Sequence, residues 1–430
     1  MMKIEVTMKR KGLFLFIVFA LFLVALIGQL TYIVLVEGKN YDLAVLQKLS
    51  ERIDNKEIGY QRGAIVDRNG IVLANSIVRY DLRLDVYGLK LSLTEEGKLV
   101  DEKFTNYITK LTELISIDPQ IIREILETEE MNRDKKIATD LVYQEFEAVK
   151  EAIDSYKISY LSYTVNYKRN YPYPKLASDV IGFMNKDGYG IYGVEKTYDD
   201  ELRGEVGRRY GVLEENNLLE TVTVDSQDGH DVMLTLDFTI QKHIQDAIDN
   251  FLLTDQAKNI QVLVMNPQNG DVLGMMNYPA FDLENPYDIT SFYSEEELLT
   301  MTTEQKSDAL YELWSNETLT NTYEPGSTFK PFVFATALEE NVIHLDDDFY
   351  CSGSKRVGGF NISCWKEEGH GHQTIEEALQ NSCNVAFMDV GEKLGRHLFF
   401  RYQSMFGFGY QTNIDLSGEV SARNVMFKEE

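Results

Sequence analysis

From Leu13 to Val36 the chain runs 24 residues without a charge. At about 1.5 Å per residue a helix of that length covers the roughly 30 Å hydrocarbon layer of a bilayer. Lys9, Arg10 and Lys11 stand directly before the run, so the positive-inside rule keeps residues 1–12 in the cytoplasm and places the rest of the chain across the membrane. A cleaved signal peptide fits less well, because the run exceeds a signal h-region and Val36-Glu37-Gly38-Lys39 offers no A-x-A site.

Beyond this run the periodicity is mixed. A strand-rich portion begins near Ile58, and Leu82 to Val86 alternates apolar and charged residues. Phe104, Ile108, Leu111 and Ile115 share one helix face, Asp118-Pro119 opens a second helix through Leu126, and strand signals return around Tyr160 to Tyr167. After Asp237, residues Ile240, Ile244, Ala247, Ile248 and Phe251 form a helical stripe. Strands at Val262–Met265 and Asp271–Met276 follow, joined by a turn over Asn266–Gly270. The stretch from Asp282 to Thr320 has weak periodicity and reads as an irregular lead-in. Phe334, Ala337 and Leu338 recur at helix spacing before a stop at Asn341. Thr374 and Glu377 form a capping box ahead of a short helix to about Asn381, and Val385 to Leu394 reads as the next helix with Gly395 as its stop. This pattern predicts an α+β protein: a cytoplasmic tail (1–12), a transmembrane helix (13–36), an α+β pedestal (37–225) and a second domain (226–430). No internal repeat stands out.

Candidate chemistry sits in the second domain. In YEPGSTFKPF, Tyr323 to Phe332, Ser327 precedes Lys330 by one helical turn behind a Pro-Gly turn, so both side chains share a face. A lysine held neutral by desolvation or a neighbouring cation can take the hydroxyl proton as serine attacks a carbonyl, and N–H groups at a helix start can stabilise the developing oxyanion. Pro331 removes the hydrogen bond back to Ser327 and predicts a distorted first turn. S-x-x-K recurs at Ser352/Lys355 and Ser363/Lys366, but these lie in a Gly- and Ser-rich stretch that reads as solvated loop and strand. Ser382-Cys383-Asn384, the sole S-x-N in the chain, arrives 55 residues after Ser327 at a helix junction. A serine there can relay a proton, and an amide can hold a substrate peptide by donor and acceptor. Alone it would read as an ordinary helix cap.

These residues resemble the penicillin-binding and serine β-lactamase group, marked by S-x-x-K, S-D-N and K-T-G. YEPGSTFKP, the Gly369–Gly371 GHG and NSCN at Asn381–Asn384 narrow the resemblance to class B penicillin-binding proteins, the monofunctional peptidoglycan D,D-transpeptidases. RGAIVDRNGIVLA (Arg62–Ala74), RNYPYPKLASDVIG (Arg169–Gly182) and GVEKTYDDELRG (Gly193–Gly204) look like the three signatures of that class's non-catalytic pedestal, a dimerisation-type domain. The resemblance implies a penicillin-recognising, β-lactamase-like transpeptidase domain. Within it, Ser327 is the acylated nucleophile, Lys330 the general base, Ser382 the proton relay and Asn384 the substrate-binding amide. Glu195 takes a structural role, and Arg62, Asp67 and Arg68 form an ion-pair network holding the pedestal. The implied partners are peptidoglycan stem peptides, β-lactams as covalent inhibitors and a membrane-embedded wall glycosyltransferase, with no cofactor. A β-lactamase or β-lactam sensor shares the motifs but lacks the pedestal signatures.

The net charge of −27 includes +3 before residue 37, which leaves −30 on the rest and makes nucleic acid a poor partner. Cys351 and Cys364 flank a 12-residue segment and could close a disulfide outside the membrane. Two free thiols are the next reading, and a zinc site from Cys351, Cys364, His370 and His372 ranks below both. Cys383 is given no catalytic role. Neither K-T-G nor K-S-G occurs, and only 46 residues follow Asn384. This carries the expectation of an incomplete transpeptidase domain that binds penicillin poorly by itself, and leaves a membrane scaffold for a wall polymerase as the alternative from another class.

Overall fold

The computed structural model describes residues 53–95, 98–128, 132–155, 157–214 and 217–421, with isolated positions at 19, 21–23, 25, 26, 28, 29 and 426. Most of the apolar run Leu13–Val36, with its transmembrane reading, lies outside the described residues. Among the described residues no helix is long and apolar enough to cross a membrane.

The chain folds as two compact units that do not follow a linear boundary at residue 225. Among the described residues, one contains 53–62, 76–168 and 203–229; the other contains 63–75, 169–202 and 230–421. The three pedestal signatures thus fall almost wholly within the unit that carries the S-x-x-K and S-x-N motifs. The apolar residues explain this: Ile65, Leu73, Ala74, Tyr171, Ile181, Phe183, Val194 and Leu202 are buried in one cluster with Leu236, Met275, Phe281, Leu283 and Trp314.

In the first unit, strands Ile53–Ile58, Gly207–Glu214 and Asn217–Val224 form an antiparallel sheet. The strand Val72–Leu84 pairs with Lys135–Leu141 in register Leu84↔Lys135. Helices Asp101–Leu114, Pro119–Thr128 and Tyr143–Asp154 bury Phe104, Ile108, Leu111, Ile122, Leu126, Phe146 and Val149 against Leu82, Leu84 and Leu89. Tyr80 stacks on Phe146 at 4.1 Å between ring centroids. The alternation read through Val86 ends at Leu84, because the Asp85 carboxylate accepts from Gly88 N and caps a helix, Val86–Leu93.

In the second unit, the Asp237 carboxylate caps the helix Phe238–Thr254 by accepting from Thr239 N and Ile240 N. This helix packs on the hairpin of Ile260–Met265 and Val272–Tyr278. Buried Gln241 stitches the two together, its amide donating to Met275 O at 2.8 Å and accepting from Met275 N at 3.0 Å. The stretch expected to be irregular contains helices at Glu295–Thr300, Thr303–Trp314 and Glu317–Thr320, the first two opened by capping boxes Ser294/Glu297 and Thr302/Gln305. Their periodicity is weak because they bury little beyond Ala309 and Trp314.

A third apolar cluster carries the candidate site. Ala337 of the helix Lys330–Glu339 packs with Phe349, Ile375, Ala378, Val385, Ala386, Val390 and Leu394. The expected stop at Gly395 is a break: at φ +74° and ψ 163° it interrupts the helical run Asn384–Met405, which then resumes.

Glu195, fully buried, pairs with Arg169 at 2.7 Å, and Arg169 donates to Gly63 O at 2.6 Å. Asp67 organises a turn by accepting from Asn69 N, Ile71 N and Phe238 N, and these bonds hold its carboxyl below the usual carboxylate range against the opposing effect of burial.

Candidate active site

Ser327 lies in a 3-10 turn, Gly326–Phe329, that leads directly into the helix Lys330–Glu339. The distortion read from Pro331 is therefore present, with Gly326 at φ +58° preparing the turn. Ser382 arrives from the junction between Ile375–Gln380 and Asn384–Met405, in the left-handed region at φ +49°. That conformation costs a non-glycine residue energy and turns Ser382 back toward Ser327.

The four residues named from sequence meet here. Ser382 Oγ donates to Ser327 Oγ at 2.9 Å. Lys330 Nζ donates to Ser382 Oγ at 3.1 Å, to Ser382 O at 2.7 Å and to Asn384 Oδ1 at 2.8 Å. Burial pulls the Lys330 ammonium below the ordinary lysine range, while the Cys364 and Cys383 sulfurs act in the opposite direction. Two of its three acceptors, Ser382 O and Asn384 Oδ1, can only accept. A neutral amine has two N–H bonds for those two, and one lone pair left for the Ser382 hydroxyl proton. The arrangement thus accommodates both protonation states without moving a heavy atom.

Over residues 57–234 the sequence matches the penicillin-binding protein dimerisation domain, and over 260–427 the penicillin binding protein transpeptidase domain. The chain belongs to the class B penicillin-binding proteins. It is 30% identical over 427 residues to stage V sporulation protein D of Bacillus subtilis, covering 96% of this chain and 59% of that protein. It is 26% identical over 401 residues to the peptidoglycan D,D-transpeptidase MrdA of Escherichia coli K12, covering 86% of this chain and 58% of MrdA. The fold resembles penicillin-binding protein 2X from Streptococcus thermophilus, with a TM-score of 0.68 at 20% identity, covering 85% of this chain and 54% of that one. The chain thus spans somewhat under two thirds of the length of these relatives.

In this class B protein the remaining S-x-x-K copies separate. Lys355 pairs with Asp389 and Glu392, away from Ser327 chemistry. Ser363 touches the site through its backbone, its carbonyl accepting from Asn384 Nδ2 at 3.2 Å. Sequence patterning carries no signal for such a main-chain contact.

Of the readings of Cys351 and Cys364, the structure matches the free-thiol one. Cys351, Cys364 and Cys383 are buried free thiols, so the Cys351–Cys364 bridge is not formed in the structure. The three sulfurs and a nitrogen of His370 all lie within 4.8 Å of one another. A tetrahedral zinc with Zn–S bonds of roughly 2.3 Å sets its sulfurs about 3.8 Å apart, so this Cys3His set could hold such a cation with little closure. His370 Nε2 is buried without a hydrogen-bond partner, and Nδ1 lies 3.7 Å from Cys364 Sγ. His372, counted as a ligand from sequence, faces away and contacts Asp348 at 2.6 Å; Cys383 takes its place. The fit depends on Gly369, at φ +82°, where an added Cβ would lie 2.2 Å from Cys351 O. The signal for this cluster was three cysteines and GHG within 33 residues, with the wide spacing explained by a sheet: Cys351 pairs with Gly371 in the ladder of Asp348–Cys351 and Gly371–Thr374.

Proposed function

We propose that this chain acts in peptidoglycan cross-linking as a D,D-transpeptidase working through a Ser327 acyl-enzyme, and that β-lactams acylate the same oxygen. The single observation behind this is the continuous hydrogen-bonded path Ser327–Ser382–Lys330. With Lys330 neutral, the Ser327 hydroxyl proton passes to Ser382 Oγ while the Ser382 proton passes to Nζ, and the Ser327 oxygen bonds to the stem-peptide carbonyl carbon. Reversed, the same path delivers a proton to the departing amine. Asn384, fixed by Lys330 and Ser363, is set to hold the peptide.

The proposal extends to placement. The run Leu13–Val36 anchors the chain as a single pass, with residues 1–12 in the cytoplasm and the site outside, serving division, elongation or sporulation beside a wall glycosyltransferase. A penicillin-binding protein of Helicobacter pylori, PBP2, has been solved in complex with MreC; a protein partner suits this reading. External protease added to wall-stripped cells should remove the chain beyond Glu37, and full protection would refute the topology.

Fluorescent penicillin offered to the protein in its native membranes tests the chemistry. Wild type should label and Ser327→Ala should not; equal labelling of both removes Ser327 from the mechanism. An unlabelled wild type with normal assembly would favour a non-enzymatic membrane scaffold instead.

A further inference from the structure

Each residue of the Cys3His cluster comes from a different element. Cys351 ends the strand Asp348–Cys351, Cys364 follows the strand Phe360–Ser363, His370 precedes the strand Gly371–Thr374 and Cys383 caps the helix Asn384–Met405. The surroundings of the sulfurs are rich in donors. Cys364 Sγ faces the backbone N–H groups of Lys366, Asn384 and Val385, and Cys383 Sγ accepts from Ala386 N at 3.5 Å. The Gln373 side chain, 4% exposed, is directed at Cys383, yet its Nε2 finds no oxygen or nitrogen partner. N–H groups aimed at sulfur suit thiolates rather than thiols, and buried thiolates within 4.8 Å of one another need a cation among them. The Lys330 ammonium does not serve, because its hydrogen bonds go to Ser382 O, Ser382 Oγ and Asn384 Oδ1.

We propose that Cys351, Cys364, His370 and Cys383 form a structural zinc site that pins the Ser382–Asn384 turn to the ladder bearing Cys351. Three sulfurs and one imidazole nitrogen are a ligand set that zinc takes in a closed tetrahedron, with no position left for substrate. Three thiolates on a divalent cation leave a single net negative charge, which the Gln373 amide and the backbone N–H groups share. Cys383 stands between Ser382 and Asn384, whereas Cys351 is held in register against Gly371. A metal bonded to both therefore fixes the turn one residue from each of the two side chains that contact Lys330. Ser382, at φ +49°, keeps a conformation that persists only while its surroundings enforce it. The metal supplies that constraint and takes no part in acyl transfer.

The test uses the purified full chain in detergent, kept reduced, with zinc alone as the probe. One zinc per chain should survive dialysis in elemental analysis, and cobalt(II) in its place should show the intense visible absorption of a tetrahedral thiolate site. Cys351→Ser and Cys383→Ser should each weaken zinc retention by more than about tenfold, and Gln373→Ala, which removes a donor to sulfur but no ligand, by about tenfold. His372→Ala should bind as wild type does. Chelating the metal from wild type should speed amide exchange around Ser382 by about tenfold, and zinc added back should reverse this. Metal content and exchange are both read without penicillin, so neither depends on acylation of Ser327. A wild-type chain that retains no zinc, or that gives the weak absorption of octahedral cobalt, overturns the site. Equal retention by wild type and Cys351→Ser overturns the tie to the ladder, and so does exchange around Ser382 that ignores the metal.

Discussion

Lys330 sits between two requirements, since three oxygens favour its ammonium and burial disfavours it. Burial prevails and lowers its pKa from 10.5. The neutral base is gained as pH rises through that lowered value, so penicillin acylation should climb with pH and level off below the ordinary lysine range. A flat profile would remove Lys330 as the base. Ser382→Ala should slow acylation by about 10²- to 10⁴-fold, the usual worth of a positioned proton-transfer group. Asp179 offers an independent titration. It is buried, accepts from Asn277, and is pushed up to about 7 chiefly by desolvation. Its folded value exceeds the unfolded one, so the stability it contributes is present below about pH 4 and is lost as pH rises to about 7. Urea unfolding across that window should weaken for wild type by a few kcal/mol at most and stay flatter for Asp179→Asn. At this scale Ser327, Lys330, Ser382 and Asn384 were legible because S-x-x-K and S-x-N are side-chain patterns. Ser363 was not, because it acts through a carbonyl that any residue carries, and Cys383 was masked by the motif that contains it.

Among the elements, sequence and structure agree where one face is buried and the other solvated. Phe104, Ile108 and Leu111 marked the helix Asp101–Leu114 because the opposite face is in water, and Ile115, the last of the series, is its cap. The same criterion failed over Asp282–Thr320, where the helices are largely exposed and their evidence lay in caps at Ser294 and Thr302. The capping box at Thr374 was read correctly, with Glu377 N bonding Thr374 Oγ1 at 3.2 Å and Thr374 N bonding Glu377 Oε2 at 2.8 Å. Thr374→Ala should cost about 1 kcal/mol in chemical unfolding. It should also speed amide exchange in Ile375–Gln380, since the box satisfies a first-turn N–H that has no partner within the helix; exchange unchanged there would mean that the packing of Ile375 and Ala378 alone fixes the helix. Gly395 shows the limit of a terminator reading: a left-handed glycine ends one helical segment, yet nothing in it prevents the chain from starting another, as it does through Met405.

For the molecule, the informative feature is that the pedestal signatures share a core with the catalytic segment. A sequence read from end to end assigns neighbouring residues to one domain, whereas burial assigns them by partner. Ile65, Leu73, Phe183, Val194 and Leu202 find theirs in Leu236, Met275, Phe281 and Trp314. The Arg169–Glu195 pair, buried at both ends and fixed to Gly63 O, joins three separate signature stretches within this unit. Glu195→Ala leaves the Arg169 charge without its carboxylate partner and should destabilise the unit by about 3–5 kcal/mol. This packing argues against an autonomous catalytic segment. Residues 226–430 expressed alone should be insoluble or lack a cooperative unfolding transition, since they expose the apolar surface that Gly63–Asn75 and Arg169–Leu202 cover. A fragment of residues 57–234 supplied during refolding should restore solubility and near-ultraviolet circular dichroism. Cooperative folding of 226–430 without it would show that the shared core is dispensable, and that the linear boundary describes the folding units better than the interleaved one.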